Sequence, residues 1–480
     1  MNRSIVFKIL GHILKLEGLF LLLPTIVAII YKENKGVVAY FGVAVAVYLI
    51  GFLLTKTLKP KTDLIYAKEG FLTVSLAWIF MSVTGAIPFV LTGDMPSYVD
   101  ALFEIVSGFT TTGASVVADV TALSKATLFW RSFSHWIGGM GVLVFMMAII
   151  SNITDRSIHI IRAEMPGPVV GKLVPKVRDT AKILYIIYAV LTLVEVVFLL
   201  FGGMPLFDSL LHAFGTAGTG GFGLAGDSIA SFSPYIQWVI AIFMMIFGIN
   251  FNLYYLILIK RISSVFKSTE LWVYLGIIAV STGLITVNTI SNLPVGDTIR
   301  HAFFQVTSII TTTGYSSVDF NLWPQFSKSL ILLIMFIGGC AGSTAGGLKM
   351  SRFLILCKMI KREIKRLIHP RSVSDVKLEG KHVDETTISS TGTYFAIYIM
   401  GILATFLLLS FDRFDFTDTL TVSISCFNNV GPAFGAFGPM SSYAEFSQFS
   451  KIVLSFAMLF GRLEIFPMII ALTPSTWVKK

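Results

Sequence analysis

Long apolar runs separated by short polar stretches set the pattern of this chain. Runs long enough to cross a hydrocarbon core of ~30 Å fall at 9–31, 37–58, 70–91, 126–150, 181–202, 233–260, 271–293, 324–360 (interrupted), 390–411 and 446–472. They predict an all-α polytopic membrane protein with ten transmembrane spans, and the even number puts both termini on one side. Between spans three and four, five and six, seven and eight, and nine and ten lie shorter apolar runs: Ala101–Phe109, Ser209–Phe214, Thr298–Ile310 and Thr419–Phe427. At about 1.5 Å per residue such a run reaches only part of the way across. Each is preceded by an aspartate placed to cap a helix (Asp100, Asp208, Asp297, Asp418). Each ends in small polar residues and a glycine.

The order span, half-helix, loop, span therefore occurs four times, an internal repeat. It divides the chain into an N-terminal two-helix unit (1–65) and pore repeats at 66–155, 175–265, 268–370 and 385–480. The four loops read Thr110-Thr111-Thr112-Gly113, Ala217-Gly218-Thr219-Gly220, Thr311-Thr312-Thr313-Gly314 and Asn428-Asn429-Val430-Gly431. From aspartate to glycine is 13, 12, 17 and 13 residues, so the third half-helix is expected to be one turn longer. Non-helical backbone at membrane depth is tolerated only where protein or a water-filled cavity satisfies it. Rings of backbone carbonyls from such loops are how cation filters replace a hydration shell. The candidate ion ligands are Thr111, Thr112, Gly113, Gly218, Thr219, Gly220, Thr312, Thr313, Gly314, Asn429, Val430 and Gly431. The half-helices should turn the negative ends of their dipoles toward the ring, which favours a cation there.

Composition sharpens this picture. Of 480 residues 55% are hydrophobic and 13% charged, against about 25% charged in soluble domains. The net charge of +10 is concentrated in alternate loops, so it reads as the cytoplasmic signature of a membrane protein and not as a nucleic-acid footprint. Lys56, Lys59, Lys61 and Lys68 fall in one such loop. Arg156, Arg162, Lys172, Lys176, Arg178 and Lys182 fall in the next, and ten Lys/Arg in 349–381. Acidic residues, Glu104 and Asp119 among them, gather on the other side. Both termini are expected in the cytoplasm, with the four loops opening outward. Cys340, Cys357 and Cys426 are scattered and suggest neither disulfides nor a metal site.

The eighth span is too long to be one helix and should break at Gly338–Leu348, where Gly338, Gly339, Gly342, Gly346 and Gly347 accompany Ser343 and Thr344. With Lys349 closing it, this stretch reads as an intramembrane loop (338–349) that gates flow beneath the ring; a close helix-packing face is the alternative. Arg462, deep in the last span, is a functional candidate because charge at that depth is costly. It reads as a positive barrier near the pore or a contact to the loop, or else as a packing pair with Glu464 or a cap on carbonyls. Glu195 reads as structural, and His135, His212 and His301 as ordinary polar anchors. The basic stretch Lys358, Lys361, Arg362, Lys365 and Arg366 reads as a headgroup-facing or partner-docking helix. Gly218–Gly223 fits a dinucleotide-loop spacing without the strand that motif needs, and Gly342–Lys349 misses a phosphate loop by a displaced lysine. An intramembrane enzyme would need a catalytic pair that no motif supplies. A coupled transporter would need a carboxylate at the binding site, and none of the four loops carries one.

Ser107–Ser115, His301–Tyr315, Asn428–Pro432, Gly338–Lys349 and Phe460-Gly461-Arg462 together resemble the TrkH/KtrB superfamily of bacterial potassium transporters over essentially the whole chain. The two extra N-terminal spans resemble its TrkH branch. The resemblance implies potassium uptake through one pore per subunit of a homodimer in a bacterial inner membrane. It implies no enzymatic activity and no organic cofactor on this chain. It also implies a cytosolic nucleotide-binding regulatory ring of the TrkA type, gating by the 338–349 loop with Arg462 beside it, and potassium preferred over sodium where all four glycines are kept. Repeat two departs from the family, with Gly218-Thr219 where bulkier residues are common.

Overall fold

The computed structural model of the chain describes residues 2–59, 65–141, 177–290, 294–370 and 375–477. Most of it is helical. The strands among the described residues form one small antiparallel hairpin, Lys377–Leu378 with Lys381–His382.

Large apolar side chains point outward from the long helices. Phe201, Val287 and Leu407 are 79%, 75% and 69% exposed. Threonines, serines and asparagines of the central loops are buried instead. Water would not tolerate that surface and lipid would. The chain is a multi-pass membrane protein.

Among the described residues, six helices are long and apolar enough to cross a membrane: Arg3–Ile30, Asn34–Thr57, Ala67–Thr92, Asp179–Phe201, Thr269–Thr289 and Glu385–Asp412. A seventh appears if Pro234–Phe247 and Phe251–Leu258, bent by 89°, count as one. Among the described residues, six or seven of the ten expected crossings meet this test. The exceptions are the four helices nearest the centre. The first runs Lys125–Met140, and the rest of its expected span, 142–150, lies outside the described residues, as do Arg156, Arg162, Lys172 and Lys176 of the basic loop. The second bends at Gly248. The third stops at Met335 and resumes at Met350. The fourth stops at Arg462 and resumes at Phe466.

Four half-length helices alternate with these elements: Tyr98–Phe109, Leu206–Gly218, Val295–Ile310 and Phe416–Phe427, of 12, 13, 16 and 12 residues. The third is one turn longer, as its spacing implies. The aspartates are not their N-caps. Ser97, Pro205, Pro294 and Asp415 hold that position, and each aspartate is the third helical residue. The carboxylate still faces the positive end of the dipole there; in the first repeat the Ser97 hydroxyl accepts from the Asp100 N–H at 3.4 Å, and in the second and third a proline holds the entry position.

Each half-length helix packs against the outer helix of its own repeat and the inner helix of the repeat before it. Leu206–Gly218 lies on Lys125–Met140, and Val295–Ile310 on Pro234–Phe247. Phe416–Phe427 meets Gln325–Met335, and Tyr98–Phe109 closes the circle on Gln448–Arg462. The N-terminal pair packs beside the first repeat. Gly11 and Gly51 face each other so closely that either Cβ would strike the other's backbone, and the buried Glu17 accepts the Thr84 hydroxyl at 2.8 Å.

Candidate functional site

Each half-length helix ends in the same way. Thr111, Thr219, Thr312 and Asn429 all sit in the left-handed region at φ 56°. The next residue (Thr112, Gly220, Thr313, Val430) donates its N–H to the carbonyl five residues back, at 2.9, 2.8, 2.8 and 2.9 Å. A glycine follows with φ of 79°, 71°, 84° and 99°: Gly113, Gly221, Gly314 and Gly431. This geometry corrects the register of repeat two. Its counterpart of Gly113 is Gly221, and Gly220 matches Thr112. From aspartate to glycine is then 13 residues in repeats one, two and four. Gly220-Gly221 offers two glycines that spacing alone does not separate.

The four glycines close a ring. A Cβ on Gly113 would strike the Gly220 carbonyl oxygen, on Gly221 that of Thr313, on Gly314 that of Val430, and on Gly431 that of Thr112, each closer than 3.0 Å. Every repeat thus lays its glycine against the carbonyl of the next, and the fourth returns to the first. Only glycine offers both this φ and the missing side chain. Above the ring a cavity of about 110 Å³ is lined by all four glycines with Ser115, Arg131 and Tyr443. The loops are laced together around it. Tyr443 donates its hydroxyl to the Gly431 carbonyl at 2.6 Å and its N–H to the Ser115 carbonyl at 2.8 Å. Ile229 N–H reaches the Ser316 carbonyl at 2.9 Å, and Asn321 exchanges hydrogen bonds with Gly435.

The 336–349 stretch is unwound, with Gly338, Gly342, Gly347 and Lys349 at positive φ. It lies against the ring. Gly346 N–H donates to the Thr312 hydroxyl oxygen at 2.6 Å, and a Cβ on Gly346 would sit 2.8 Å from the Asn428 carbonyl oxygen. Gly339 carries no side chain where it meets Ala345, and Ser343 bonds the Cys340 carbonyl at 2.6 Å. The stretch is pinned from several sides. Cys340 N–H donates to the Gly248 carbonyl at 3.0 Å, and Ala341 N–H to the Glu270 carboxylate at 2.8 Å. The Lys349 ammonium bonds the Ala345 carbonyl. Arg462 donates to the Thr344 carbonyl at 2.8 Å and to the Gly138 and Gly139 carbonyls at 2.5 and 2.7 Å. Its carbonyl-capping role is therefore realised together with its contact to the loop. Glu464 pairs with Arg352 at 2.5 Å, and the Arg352 guanidinium stacks 4.1 Å from the Tyr394 ring centroid. Beyond Arg462 the backbone makes a tight three-residue turn, Phe466 N–H to the Glu464 carbonyl at 2.7 Å, with Ile465 at φ 66°. Positive φ in a β-branched residue is strained, so this break is held in place by its neighbours.

Four features escaped the sequence reading. Glu104 is not an outer-loop charge. It is fully buried and holds Arg131 (2.6 Å), the Ser115 hydroxyl (2.8 Å) and the Val116 N–H (2.9 Å). The signal was present, since Arg131 is a charge within a segment expected to cross the membrane. His135 is a polar anchor with a particular place: it bridges the end of the first half-length helix, at the Gly108 carbonyl, and the Phe222 N–H of the second loop. Tyr315, next to Gly314, sends its hydroxyl toward the His212 carbonyl at 3.3 Å. The basic helix Met350–Ile368 turns Ile360, Ile364 and Leu367 outward, while Arg362 is buried against Glu363 and Glu385.

Residues 41–478 match the family model described as TrkH, cation transport protein. The chain is 35% identical to the Trk system potassium uptake protein TrkH of Salmonella typhimurium over 99% of its own length and 100% of that protein. It is 34% identical to TrkG of Escherichia coli K12, with the same coverage. The crystal structure of the potassium transporter TrkH from Vibrio parahaemolyticus superposes with a TM-score of 0.89 at 31% identity, covering all of both chains. Relatives carrying these names are transporters and not enzymes. With a family model matched over most of the chain, full-length relatives above 30% identity and a common fold, this protein belongs to the TrkH family.

Proposed function

We propose that this chain takes up potassium across a bacterial inner membrane, and that the ring is its selectivity filter. The carbonyls of Thr112, Gly220, Thr313 and Val430 would replace the hydration shell of the ion, and the half-length helices would act as re-entrant pore helices whose negative dipole ends stabilise it. The observation that carries this reading is the cyclic closure, in which each of four glycines meets the carbonyl of the next repeat. The names of the relatives support potassium as the cargo. The 338–349 loop, tied to Thr312 and Arg462, is the gate in its closed position. In this reading the bent and broken inner helices still complete ten crossings, both termini are cytoplasmic, and flux is channel-like. The chain would work as a homodimer in the bilayer, with a TrkA-type nucleotide-binding ring on the basic inner face. The test is ion flux by purified protein in liposomes with potassium, sodium and proton gradients imposed separately. Uptake driven by a potassium gradient alone and larger for potassium than sodium is expected; sodium passing equally well overturns the filter.

A further inference from the structure

We infer that His135, on the inner helix of repeat one, is a positioning residue for ion selection that sets the spacing of the first two loops; this rests on the filter reading above. Its imidazole spans two repeats. Nδ1 lies 2.8 Å from the Gly108 carbonyl at the end of the first half-length helix. A carbonyl only accepts, so Nδ1 carries the proton. Nε2 is then an acceptor, and the Phe222 N–H, next after Gly221 in the second loop, donates to it at 3.3 Å. The ring also packs on Phe222 with centroids 4.2 Å apart, and the Arg131 guanidinium, one turn away on the same helix, lies 4.2 Å from that Phe222 ring. His135 is fully buried.

The same contact explains why repeat two looks unlike the others. In repeats one and three the loop carries paired threonines whose hydroxyls meet at 2.8 Å, Thr110 with Thr112 and Thr311 with Thr313. The matching residues of repeat two are Gly218 and Gly220. A Cβ on Gly220 would collide with Nδ1, Cγ and Cε1 of His135, and a Cβ on Gly218 with the His135 carbonyl. The imidazole occupies the space that a threonine side chain at 220 would need, and the backbone carbonyl of His135 closes the space beside Gly218. Repeat two is therefore a loop whose missing side chains are supplied by its neighbour, and His135 with Gly220 forms one exchangeable unit.

The experiment measures the potassium-to-sodium permeability ratio of the full-length chain in liposomes for four variants. His135→Gln keeps one donor and one acceptor and should stay near the native ratio. His135→Leu keeps neither, and loss of roughly one net hydrogen bond should lower the ratio about fivefold. Gly220→Thr alone should lose selectivity, because the threonine meets the imidazole. His135→Ala combined with Gly220→Thr, which moves the threonine into the vacated space, should recover selectivity relative to Gly220→Thr. The strut is overturned if His135→Leu keeps the native ratio, if His135→Gln is as poor as His135→Leu, or if the double variant is no better than Gly220→Thr. If His135→Leu does not fold, the comparison of Gly220→Thr with the double variant decides. A native chain that passes both ions equally fails the filter reading itself, and the strut with it.

Discussion

Replacing Thr312 by valine tests the proposed gate where it touches the ring. The two side chains have the same branched shape, so the left-handed backbone at 312 and its packing are retained and the hydroxyl alone is lost. In the native chain that oxygen accepts the Gly346 N–H at 2.6 Å, in a site buried on both sides. Without it the N–H is left buried with no acceptor, which costs about 1–3 kcal/mol. The cost falls only on the conformation in which the loop lies under the ring, since a loop that has swung away can solvate its amide. At about 1.4 kcal/mol per tenfold, the closed-to-open ratio falls by about 5- to 150-fold. The assay is rubidium uptake into liposomes per mass of reconstituted chain, with no regulatory partner added. Uptake should rise in Thr312→Val and return to the native level in Thr312→Ser. Native uptake by Thr312→Val would refute the claim that this contact holds the gate shut.

Further outcomes follow from the same geometry. Arg462→Met removes a charged donor from the Thr344 carbonyl and should raise rubidium uptake by about tenfold or more; unchanged uptake would assign Arg462 to packing alone. Gly221→Ala places a Cβ against the Thr313 carbonyl at a φ of 71° and should cut the potassium-to-sodium ratio in the flux assay, whereas a native ratio would return the filter position to Gly220. Glu104→Leu strands the buried Arg131 and should cost about 3–5 kcal/mol, read as a lower unfolding temperature in detergent. Adding Arg131→Leu should recover most of that loss, and a double variant as unstable as the single would show that the pair is not coupled.

The fourfold order of span, half-helix, loop and span was legible because it rests on local chemistry. Apolar length marks what lies in lipid, an acidic first turn marks a helix start, and Thr-Thr-Thr-Gly marks backbone that cannot stay helical. The break at Gly338–Leu348 was legible for the same reason, since glycines at that density do not hold a helix. Registers and partners across repeats were not. Gly220 and Gly221 are equivalent as letters, and only φ and the contact to the Thr313 carbonyl separate them. Glu104 and Arg131 are 27 residues apart in sequence, and Arg462 bonds the Gly138 carbonyl 324 residues away; neither pairing has a local signal.

The sequence alone thus determined that the chain is a membrane protein of four related units, each with a polar glycine loop, because hydropathy and glycine's conformational freedom act within one segment. Only the tertiary structure decided that the loops close on one another in a ring, that the broken helix lies beneath it, and that a histidine of the first repeat stands in for side chains missing from the second. Those are statements about which surfaces exclude each other in space, and such exclusion depends on the packing of segments far apart in the chain.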